Sequence, residues 1–246
     1  MKTVIIIQAR MTSTRLPGKV LKIVLGKPLL AYQIERLRRA KKADEIIVAA
    51  TRNVPDDPII KLCESLSIKY YRGSEDDVLS RYYEAAKLFG ADVVVRVTAD
   101  CPLIDPKVVD QVITYYLDNK NKYDYVSNCF ERSYPRGMDV EAFSLKVLGL
   151  ANNNAKNVNE REHVTPYIYM NPGKFNLANI KYKMDASAYR WTVDTQEDYE
   201  LIKIILETLY PTNSGFSLED ILQLMTAHPE YQKINEHINQ KKLTDK

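Results

Sequence analysis

The sequence predicts an α/β fold with a doubly wound, mostly parallel sheet. The first predicted strand, Thr3–Gln8, carries a continuous run of Val and Ile from Val4 to Ile7. A run without polar alternation is typical of a strand buried on both faces of a parallel sheet. Strand-like and helix-like segments then alternate along the chain. No glycine- or proline-rich linker interrupts them, so we expect a Rossmann-like arrangement without an internal domain boundary.

The predicted elements follow one another as repeated strand and helix units. Pro28 lies in the first turn of the helix after the opening loop, where its missing N–H costs nothing. Asp105 before Pro106 marks another helix start. In chain order we predict helix Pro28–Ala40, strand Glu45–Ala50, helix Asp57–Leu66, strand Lys69–Tyr71, helix Asp76–Phe89, strand Asp92–Val97, helix Lys107–Leu117, strand Tyr123–Ser127 and helix Glu197–Leu209.

Three later segments have weaker patterns. The polar stretch Asn152–Asn159 predicts an exposed loop. Arg190–Val193 is a short run rich in β-formers, before a helix that Thr195 can cap. Residues 211–246 predict a helical extension, with Ser217–Lys242 as its polar helical part. This extension either packs on the same domain as residues 1–210 or projects from it.

The loop after the first strand is strongly basic, because Arg10, Arg15 and Lys19 fall within it. Ligands of open α/β sheets bind at the carboxyl ends of the strands, where this loop leaves the sheet. Cations placed there can contact several phosphate oxygens, so the loop predicts a polyphosphate ligand. The alternative is a solvated basic turn, the usual fate of a charge run. Its position directly after a buried strand counts against that alternative.

Two other phosphate-binding motifs are excluded by their spacing. A P-loop needs a glycine five positions before Gly18 and a Ser or Thr after Lys19, but Ser13 and Val20 occupy those places. The dinucleotide fingerprint G-x-G-x-x-G does not occur among the eight glycines. A nicotinamide or flavin cofactor therefore has no support.

Two aspartates are candidate ligands for Mg²⁺. Asp100 follows a buried strand and is expected at the same sheet edge as the basic loop. A nucleoside triphosphate brings Mg²⁺, which commonly takes one or two carboxylates and completes its shell with phosphate and water. Asp194 is the natural second carboxylate. Each has a structural alternative as a helix cap, although Asp105 and Thr195 are better placed for capping.

The charge distribution and composition exclude several classes of protein. Residues 1–42 hold eleven Lys and Arg against the single acid Glu35. These bases are not interleaved with aromatic residues, as nucleic-acid stacking platforms require, so we expect no nucleic-acid partner. No apolar run approaches the length of a membrane span, and the start lacks a signal-peptide pattern. Three widely spaced cysteines indicate a reducing compartment, and we expect a cytoplasmic protein.

Several separate motifs together resemble a known family. They are Ile7–Leu21, Arg72–Leu79, Thr98–Asp105, Gly137–Glu141, Glu160–Pro166 and Trp191–Thr195. In this order they resemble the sugar-acid cytidylyltransferases, which include acylneuraminate and deoxy-octulosonate cytidylyltransferases, and especially the branch of spore coat polysaccharide biosynthesis proteins. The resemblance implies a sheet of the nucleotide-diphospho-sugar transferase (GT-A-like) type, with the catalytic domain in residues 1–210. It also implies CTP and a small acidic sugar as substrates, Mg²⁺ as cofactor and a homodimer.

The resemblance implies roles for further residues. With Arg10, Arg15 and Lys19, the nucleotide site would include Ala9, Ser13, Arg72, Ser74 and Thr98. The sugar acid would contact Arg136, Asp139, Glu141, Arg161 and His163. Among these, an arginine such as Arg161 suits a substrate carboxylate, and His163 is suited to orient or deprotonate an attacking hydroxyl. Arg10, Arg15 and Lys19 would act in catalysis by neutralising phosphate charge, together with Asp100, which would be shared between catalysis and the metal.

Other functions stay open at the level of sequence. A nucleotidyltransferase could use another base or another acceptor, such as a sugar 1-phosphate or a phosphonate. A glycosyltransferase that consumes a nucleotide sugar could share the sheet, although a diphosphate sugar needs fewer cations than this loop supplies. A non-catalytic nucleotide-binding module is the remaining class. Fold analogy alone does not choose among them.

Overall fold

The computed structural model describes residues 1–240. A seven-stranded sheet with the strand order β5-β4-β1-β6-β8-β7-β9 forms its centre, and β2 and β3 form a separate two-stranded ribbon. The strands are β1 (Thr3–Gln8), β2 (Ile23–Val24), β3 (Lys27–Pro28), β4 (Glu45–Thr51), β5 (Lys69–Gly73), β6 (Val93–Thr98), β7 (Tyr125–Ser127), β8 (Glu141–Ser144) and β9 (Leu177–Asn179).

Helices cover both faces of this sheet. They are α1 (Leu29–Leu37), α2 (Asp57–Ser65), α3 (Val78–Leu88), α4 (Pro106–Asn119), α5 (Leu145–Asn154), α6 (Val158–His163), α7 (Pro166–Tyr169), α8 (Gln196–Leu209) and α9 (Leu218–Ala227). Short 3₁₀ helices lie at Lys19–Leu21, Val54–Asp56 and Pro229–Ile234. Within residues 1–240, every helix is too short or too polar to cross a bilayer.

The first strand is buried on both faces, as predicted. Ile5 and Ile7 belong to one hydrophobic cluster, whereas Val4 and Ile6 belong to the cluster on the other face of the sheet. Successive side chains of a strand point to opposite faces, so a strand between two helical layers needs an apolar residue at every position. This requirement explains the unbroken Val and Ile run.

The sheet is mostly parallel, and this brings the basic loop and Asp100 to one edge. β1 pairs in parallel with β4 and with β6, and Gln8 stands opposite Thr98 at the end of that register. β8 is antiparallel to both of its neighbours, β6 and β7. The carboxyl ends of β1 and β6 therefore lie side by side.

The predicted helix starts are largely confirmed. The Asp105 side chain accepts the Lys107 N–H at the start of α4, and the Thr195 side chain accepts the Asp198 N–H at the start of α8. The helix predicted from Asp76 begins at Val78, because Asp77 is its cap and accepts the N–H of Ser80. Both aspartates proposed for the metal are thus free of a capping role at these helices.

Two local predictions are wrong. The stretch Asn152–Asn159 is not a loop throughout, because α5 continues to Asn154 and α6 begins at Val158. The Asn157 and Glu160 side chains form a capping box that starts α6. Arg190–Val193 is not a strand of the sheet, since only Arg190 forms a single bridge, to Arg136. The segment is held instead by hydrogen bonds to Arg136 and to Asp100.

The C-terminal region contributes to the main core. Phe216, Leu218 and Ile221 are buried in the same cluster as Ile5 and Ile7. The Leu218 N–H also donates to the Asp105 carboxylate at 2.7 Å. Its helix ends at Ala227, well before the predicted end at Lys242, and the last two residues of that prediction lie outside the described part of the chain.

Candidate active site

The basic loop after β1 is closed by backbone bonds and held by a buried carboxylate. Gly18 donates its N–H to the Met11 carbonyl at 2.8 Å and has a φ of 70°, a left-handed conformation that glycine adopts without strain. Asp56 is fully buried. It accepts the Met11 N–H at 2.7 Å and the Thr51 N–H at 2.9 Å, so it ties the loop to the end of β4.

Lys19 lies between the two candidate metal ligands. Its Nζ is 3.1 Å from Asp100 Oδ2 and 3.2 Å from Asp194 Oδ1. The Asp100 carbonyl accepts the Val193 N–H at 2.8 Å, which brings the segment before α8 against the end of β6. Two carboxylates that are far apart in the sequence therefore share one cation at the sheet edge.

Asp100 is strongly acidic in this setting. Burial by itself would raise the pKa of its carboxyl, but the Lys19 ammonium and the Thr98 hydroxyl, which donates at 2.6 Å, lower it to about 2. The carboxylate is therefore ionised throughout the neutral range. An ionised, partly exposed oxygen pair is the form that a hard divalent cation binds.

Asp194 contacts the second cation of the loop. The Arg15 guanidinium forms an ion pair with Asp194 Oδ2, and Arg190 Nη2 is 3.8 Å from the same oxygen. Burial and the nearby Arg190 charge lower the pKa of Arg15. Lys19 and Arg15, with Arg190 at a longer distance, thus surround the two aspartates, and the partly exposed Arg15 guanidinium can pair with another anion in exchange.

These groups line a cleft of about 640 Å³. Nine of the residues predicted for the site line it, namely Ala9, Arg10, Ser13, Arg15, Lys19, Thr98, Asp100, His163 and Asp194. Gln8, Thr14, Val20, Ala99, Val158, Asn159, Glu162 and Gln240 complete its walls. The loop after β1, the end of β6 and helix α6 therefore surround one cavity at the carboxyl edge.

Helix α6 brings His163 into the lining of the cleft that also includes Asp100 and Asp194. Burial lowers the pKa of the His163 imidazole below its usual value, while Glu162 raises it and Arg96 and Arg10 lower it further. The imidazole is therefore neutral at pH 7 and can accept a proton. Arg10 contacts Glu162 on the same helix at 3.9 Å.

Six predicted residues lie outside the cleft lining, and three of them, Arg72, Ser74 and Arg161, contact neighbouring segments of the chain. Arg72 donates to the carbonyl oxygens of Thr51 and Asn53. The Ser74 hydroxyl accepts the Asp77 N–H. Arg161 pairs with Asp77, with its Nη2 at 2.6 Å from the carboxylate. The structure does not bring these side chains together with the basic loop.

The residues expected near the sugar differ in whether another side chain of the protein already binds them. Glu141 is buried and accepts hydrogen bonds from Tyr125 at 2.5 Å and Thr165 at 2.7 Å, besides its ion pair with Arg96. Asp139 is bound by both Nη atoms of a single arginine, Arg132. Only Glu141 of these two acids lies in a strand, because β8 begins at Glu141.

Arg136 differs from these acids. Among residues 1–240 its guanidinium has no side-chain hydrogen bond, and burial together with Arg132 and Arg190 lowers its pKa. Its backbone lies against Trp191 because the next residue is Gly137, with a φ of 102°. A Cβ there would be 2.4 Å from the Trp191 carbonyl oxygen. Arg136 is thus a half-buried cation without a partner in the described part of the chain.

Apart from His163, sequence reasoning missed the cleft residues that α6 and the C-terminal segment supply. Asn159 and Glu162 line the cleft from α6, and the spacing Asn157-x-x-Glu160 is a capping-box signature that indicates this helix. Gln240 lines the cleft from the far end of the described chain. No local pattern near Gln240 indicates that contact.

The residues present fit a magnesium ion that arrives with a nucleotide. Among residues 1–240, no group of three or more His, Cys, Asp or Glu side chains is arranged to hold a metal on its own. Asp100 and Asp194 already converge on one positive charge, that of Lys19. Mg²⁺ in phosphoryl-transfer sites is typically bound by one or two carboxylates plus substrate phosphates, and this donor set has that composition.

A doubly wound sheet whose carboxyl edge joins a basic loop to two aspartates defines a nucleotide-binding α/β protein. The family model described as cytidylyltransferase matches residues 4–242. A solved cytidylyltransferase from Leptospira borgpetersenii serovar Hardjo-bovis is 36% identical and superimposes with a TM-score of 0.91, covering 98% of this chain and 99% of that one. The chain belongs to the cytidylyltransferase family and is an enzyme of that type.

Two relatives extend the comparison. The spore coat polysaccharide biosynthesis protein SpsF of Bacillus subtilis is 31% identical over 232 residues, which are 92% of this chain and 94% of that protein. The 3-deoxy-manno-octulosonate cytidylyltransferase of Chloroherpeton thalassium is 36% identical over 121 residues, or 48% of each chain. The family resemblance seen in the motifs is confirmed by these matches.

Proposed function

We propose that the enzyme transfers CMP from CTP to an acidic sugar and releases pyrophosphate. A sugar hydroxyl attacks the α-phosphorus in line, the bond between the α-phosphorus and the bridging oxygen breaks, and the pyrophosphate carries away the electron pair. The hydroxyl proton passes to a base. The observation that carries this proposal is the convergence of Arg10, Arg15 and Lys19 with Asp100 and Asp194 on one cleft.

The cations of the loop are suited to a triphosphate. Nucleotidyl transfer depends on positioning and on neutralising charge more than on covalent help from the protein. Arg15 and Lys19 are paired with carboxylates. A polyphosphate that replaces these carboxylates keeps both cations paired with negative charge. Such charge-assisted bonds to phosphate are among the strongest hydrogen bonds in proteins.

Asp100 and Asp194 are the residues that would hold Mg²⁺. When bound, the ion neutralises phosphate charge that develops as the leaving group departs. Release of the two carboxylates from Lys19 and Arg15 would make their oxygens available for it. The same exchange gives the freed ammonium and guanidinium to the phosphates, so both halves of the site change partners together.

The acceptor side is assigned to His163 and Arg136. His163 is neutral at pH 7 because burial lowers its pKa, and it lines the cleft, so it is placed to take the proton of the attacking hydroxyl. Arg136 is a half-buried cation near Arg132 and Arg190. A sugar carboxylate is the anion that would satisfy it.

The names of the relatives support an acidic sugar and a product used for a surface glycan. The Chloroherpeton relative is named for a deoxy sugar acid, and the Bacillus relative for coat polysaccharide biosynthesis. A homodimer in the cytoplasm is part of the same proposal. The following assay tests the identity of the nucleobase and of the sugar.

The experiment is a pyrophosphate-release assay with CTP, UTP, ATP and GTP against a panel of sugar acids and sugar 1-phosphates. We expect turnover with CTP and a sugar acid, and none without an acceptor. Comparable turnover with UTP and a sugar 1-phosphate would replace the proposal by a different nucleotidyltransferase activity. Nucleotide binding without turnover on the whole panel would favour the non-catalytic module.

A further inference from the structure

A buried carboxylate beside the cleft, Asp198, has no part in the chemistry described so far. Its side chain is fully buried and accepts five hydrogen bonds. Their donors are Arg190 Nε, Arg190 Nη2, Asn235 Nδ2, Asp194 N and Thr195 N, at 2.8 to 3.1 Å. A capping box at the start of α8 requires only the bond from Thr195 N. The other four bonds require another explanation.

One of these bonds reaches a candidate metal ligand directly. The Asp194 N–H donates to Asp198 Oδ2 at 3.0 Å, which restrains the backbone that carries the Asp194 carboxylate. Side chains in the second layer of a metal site orient the ligands in this way. The bond therefore joins the start of α8 to the position of a carboxylate in the cleft.

Asp198 also controls a competing cation. Arg190 lies 2.9 Å from Asp198 Oδ1 through its Nε, but 3.8 Å from Asp194 Oδ2 through its Nη2. Arg190 is itself 6% exposed, so its charge needs a partner. Because Asp198 supplies that partner, Arg190 does not close on Asp194, and the Asp194 oxygens face the cleft cations.

The same network continues into the C-terminal segment 235–240. Asn235 is buried, and its Nδ2 donates to Asp198 Oδ1 at 2.8 Å and to the Arg190 carbonyl at 2.9 Å. Gln240 Oε1 accepts from Arg190 Nη1 at 2.7 Å and lines the cleft. Hydrogen bonds to the Asp198 carboxylate thus come from Asp194 and Asn235. Arg190, which also bonds Asp198, connects this network to Gln240.

We propose that Asp198, together with Arg190 and Asn235, is a positioning group that sets Asp194 for a divalent cation bound with the nucleotide. It makes the C-terminal segment 235–240 a working part of the active site. This inference rests on the proposed function, because it requires Asp194 to be a metal ligand. Asp198 itself is not among the residues that line the cleft, and its ion pair is with Arg190 and not with a cation of the basic loop.

The test measures Mn²⁺ binding by water-proton relaxation in the presence of CTP, which needs no turnover. Variants Asp198→Asn and Asn235→Ala are compared with Asp220→Asn, which changes the matching position of the capping box at α9. We expect Asp198→Asn to weaken Mn²⁺ binding tenfold or more, in the range typical of outer-layer substitutions. Asn235→Ala should weaken it less, and Asp220→Asn should not weaken it. CTP affinity in EDTA should stay at the wild-type value in all three.

The outcomes separate this inference from the proposed function. If the wild type with CTP binds no more Mn²⁺ than CTP alone, or if Asp194→Asn binds as the wild type does, the metal assignment of the proposed function fails. If those results hold but folded Asp198→Asn binds Mn²⁺ with wild-type affinity, the inference is overturned. Should Asp198→Asn not fold, wild-type Mn²⁺ affinity in Asn235→Ala overturns it. Equal losses of Mn²⁺ and CTP affinity would also overturn it, since they indicate general damage.

Discussion

Arg15 and Lys19 are two single side chains on which the proposed phosphate site depends. Both contact carboxylates in the cleft, and Arg15 also donates to the Asn239 carbonyl at 3.3 Å. Ion pairs that are partly exposed contribute little to stability. Their arrangement at the sheet edge therefore points to binding, and substitution of a loop cation should separate affinity from folding.

Arg15→Ala should weaken CTP binding roughly ten- to hundredfold, because a hydrogen bond to a charged group is worth about 1.5–3 kcal/mol. The free energy of unfolding should change by less than about 1 kcal/mol. Calorimetric titration with CTP measures the first and chemical denaturation the second. Lys22→Ala is the matched control, since Lys22 is a neighbouring cation that does not line the cleft. Unchanged CTP affinity in Arg15→Ala would remove the loop from the site.

His163 predicts the pH dependence of the reaction. Its pKa is lowered from 6.5, chiefly by burial, so the imidazole gains its proton only below that value. If it is the base, kcat/KM should be constant near neutral pH and fall as the pH drops below the lowered pKa. Asp100, with a pKa of about 2, stays ionised over this range. A pH profile of His163→Gln should lose that acidic limb, and an identical limb in the variant would exclude His163 as the base.

The loop after β1 depends on one buried carboxylate for its position relative to β4. Asp56 joins Met11 in this loop to Thr51 at the end of β4. Two strands that are parallel neighbours thus have their outgoing segments fastened together. The position of the basic loop therefore depends on its connection to the end of β4. Loss of the two hydrogen bonds to Asp56 should affect both the free energy of unfolding and nucleotide binding.

Asp56→Ala should lower the free energy of unfolding by about 2–4 kcal/mol, because two backbone N–H groups lose their acceptor in a buried place. CTP binding should also weaken, since the loop cations are no longer held in position. Thermal unfolding and calorimetric titration measure the two effects. Asp57→Ala, which removes a half-exposed ion pair with Arg72, should change stability by less than about 1 kcal/mol. Wild-type CTP affinity in Asp56→Ala would contradict the fastening role.

The C-terminal region packs against α1 and α4 and completes the core there. Arg36 of α1 is buried, donates to the carbonyls of Ile104 and Phe216, and lies over the Phe216 ring at 4.2 Å. Leu218 N donates to Asp105 at the start of α4. Residues beyond 210 therefore satisfy polar groups and cover apolar surface that belong to the first half of the chain.

Ile221→Ala tests this integration. Ile221 is fully buried in the main cluster, so its truncation should cost about 2–5 kcal/mol. Leu88→Ala, at a side chain that is 66% exposed, should stay within about 0.5 kcal/mol. Chemical denaturation measures the free energy of unfolding of each variant, and each should unfold in a single transition. A small effect at Ile221, or a separate early transition, would show that the extension is an independent appendage.

Local patterns were sufficient for much of the fold. The apolar run of β1 requires helices on both faces, and helical spacing with the caps Asp105 and Thr195 sets where α4 and α8 begin. Parallel strands end at one edge, so the basic loop and Asp100 were predicted to meet there. These inferences succeed because periodicity, capping and strand polarity depend on residues close together in the chain.

Residue patterns alone predict the doubly wound sheet, the basic loop at its carboxyl edge and the carboxylate beside it. The folded chain shows in addition that Arg72 donates to a backbone carbonyl at the end of β4 and that Arg161 pairs with Asp77, the cap of α3. It also shows that α6 brings His163 to the cleft and that Asp198 joins Asp194 to Asn235. The role of a charged side chain depends on which polar group lies within about 3 Å of it, because hydrogen bonds form only at that distance. Those partners come from distant parts of the chain, where no sequence period records them.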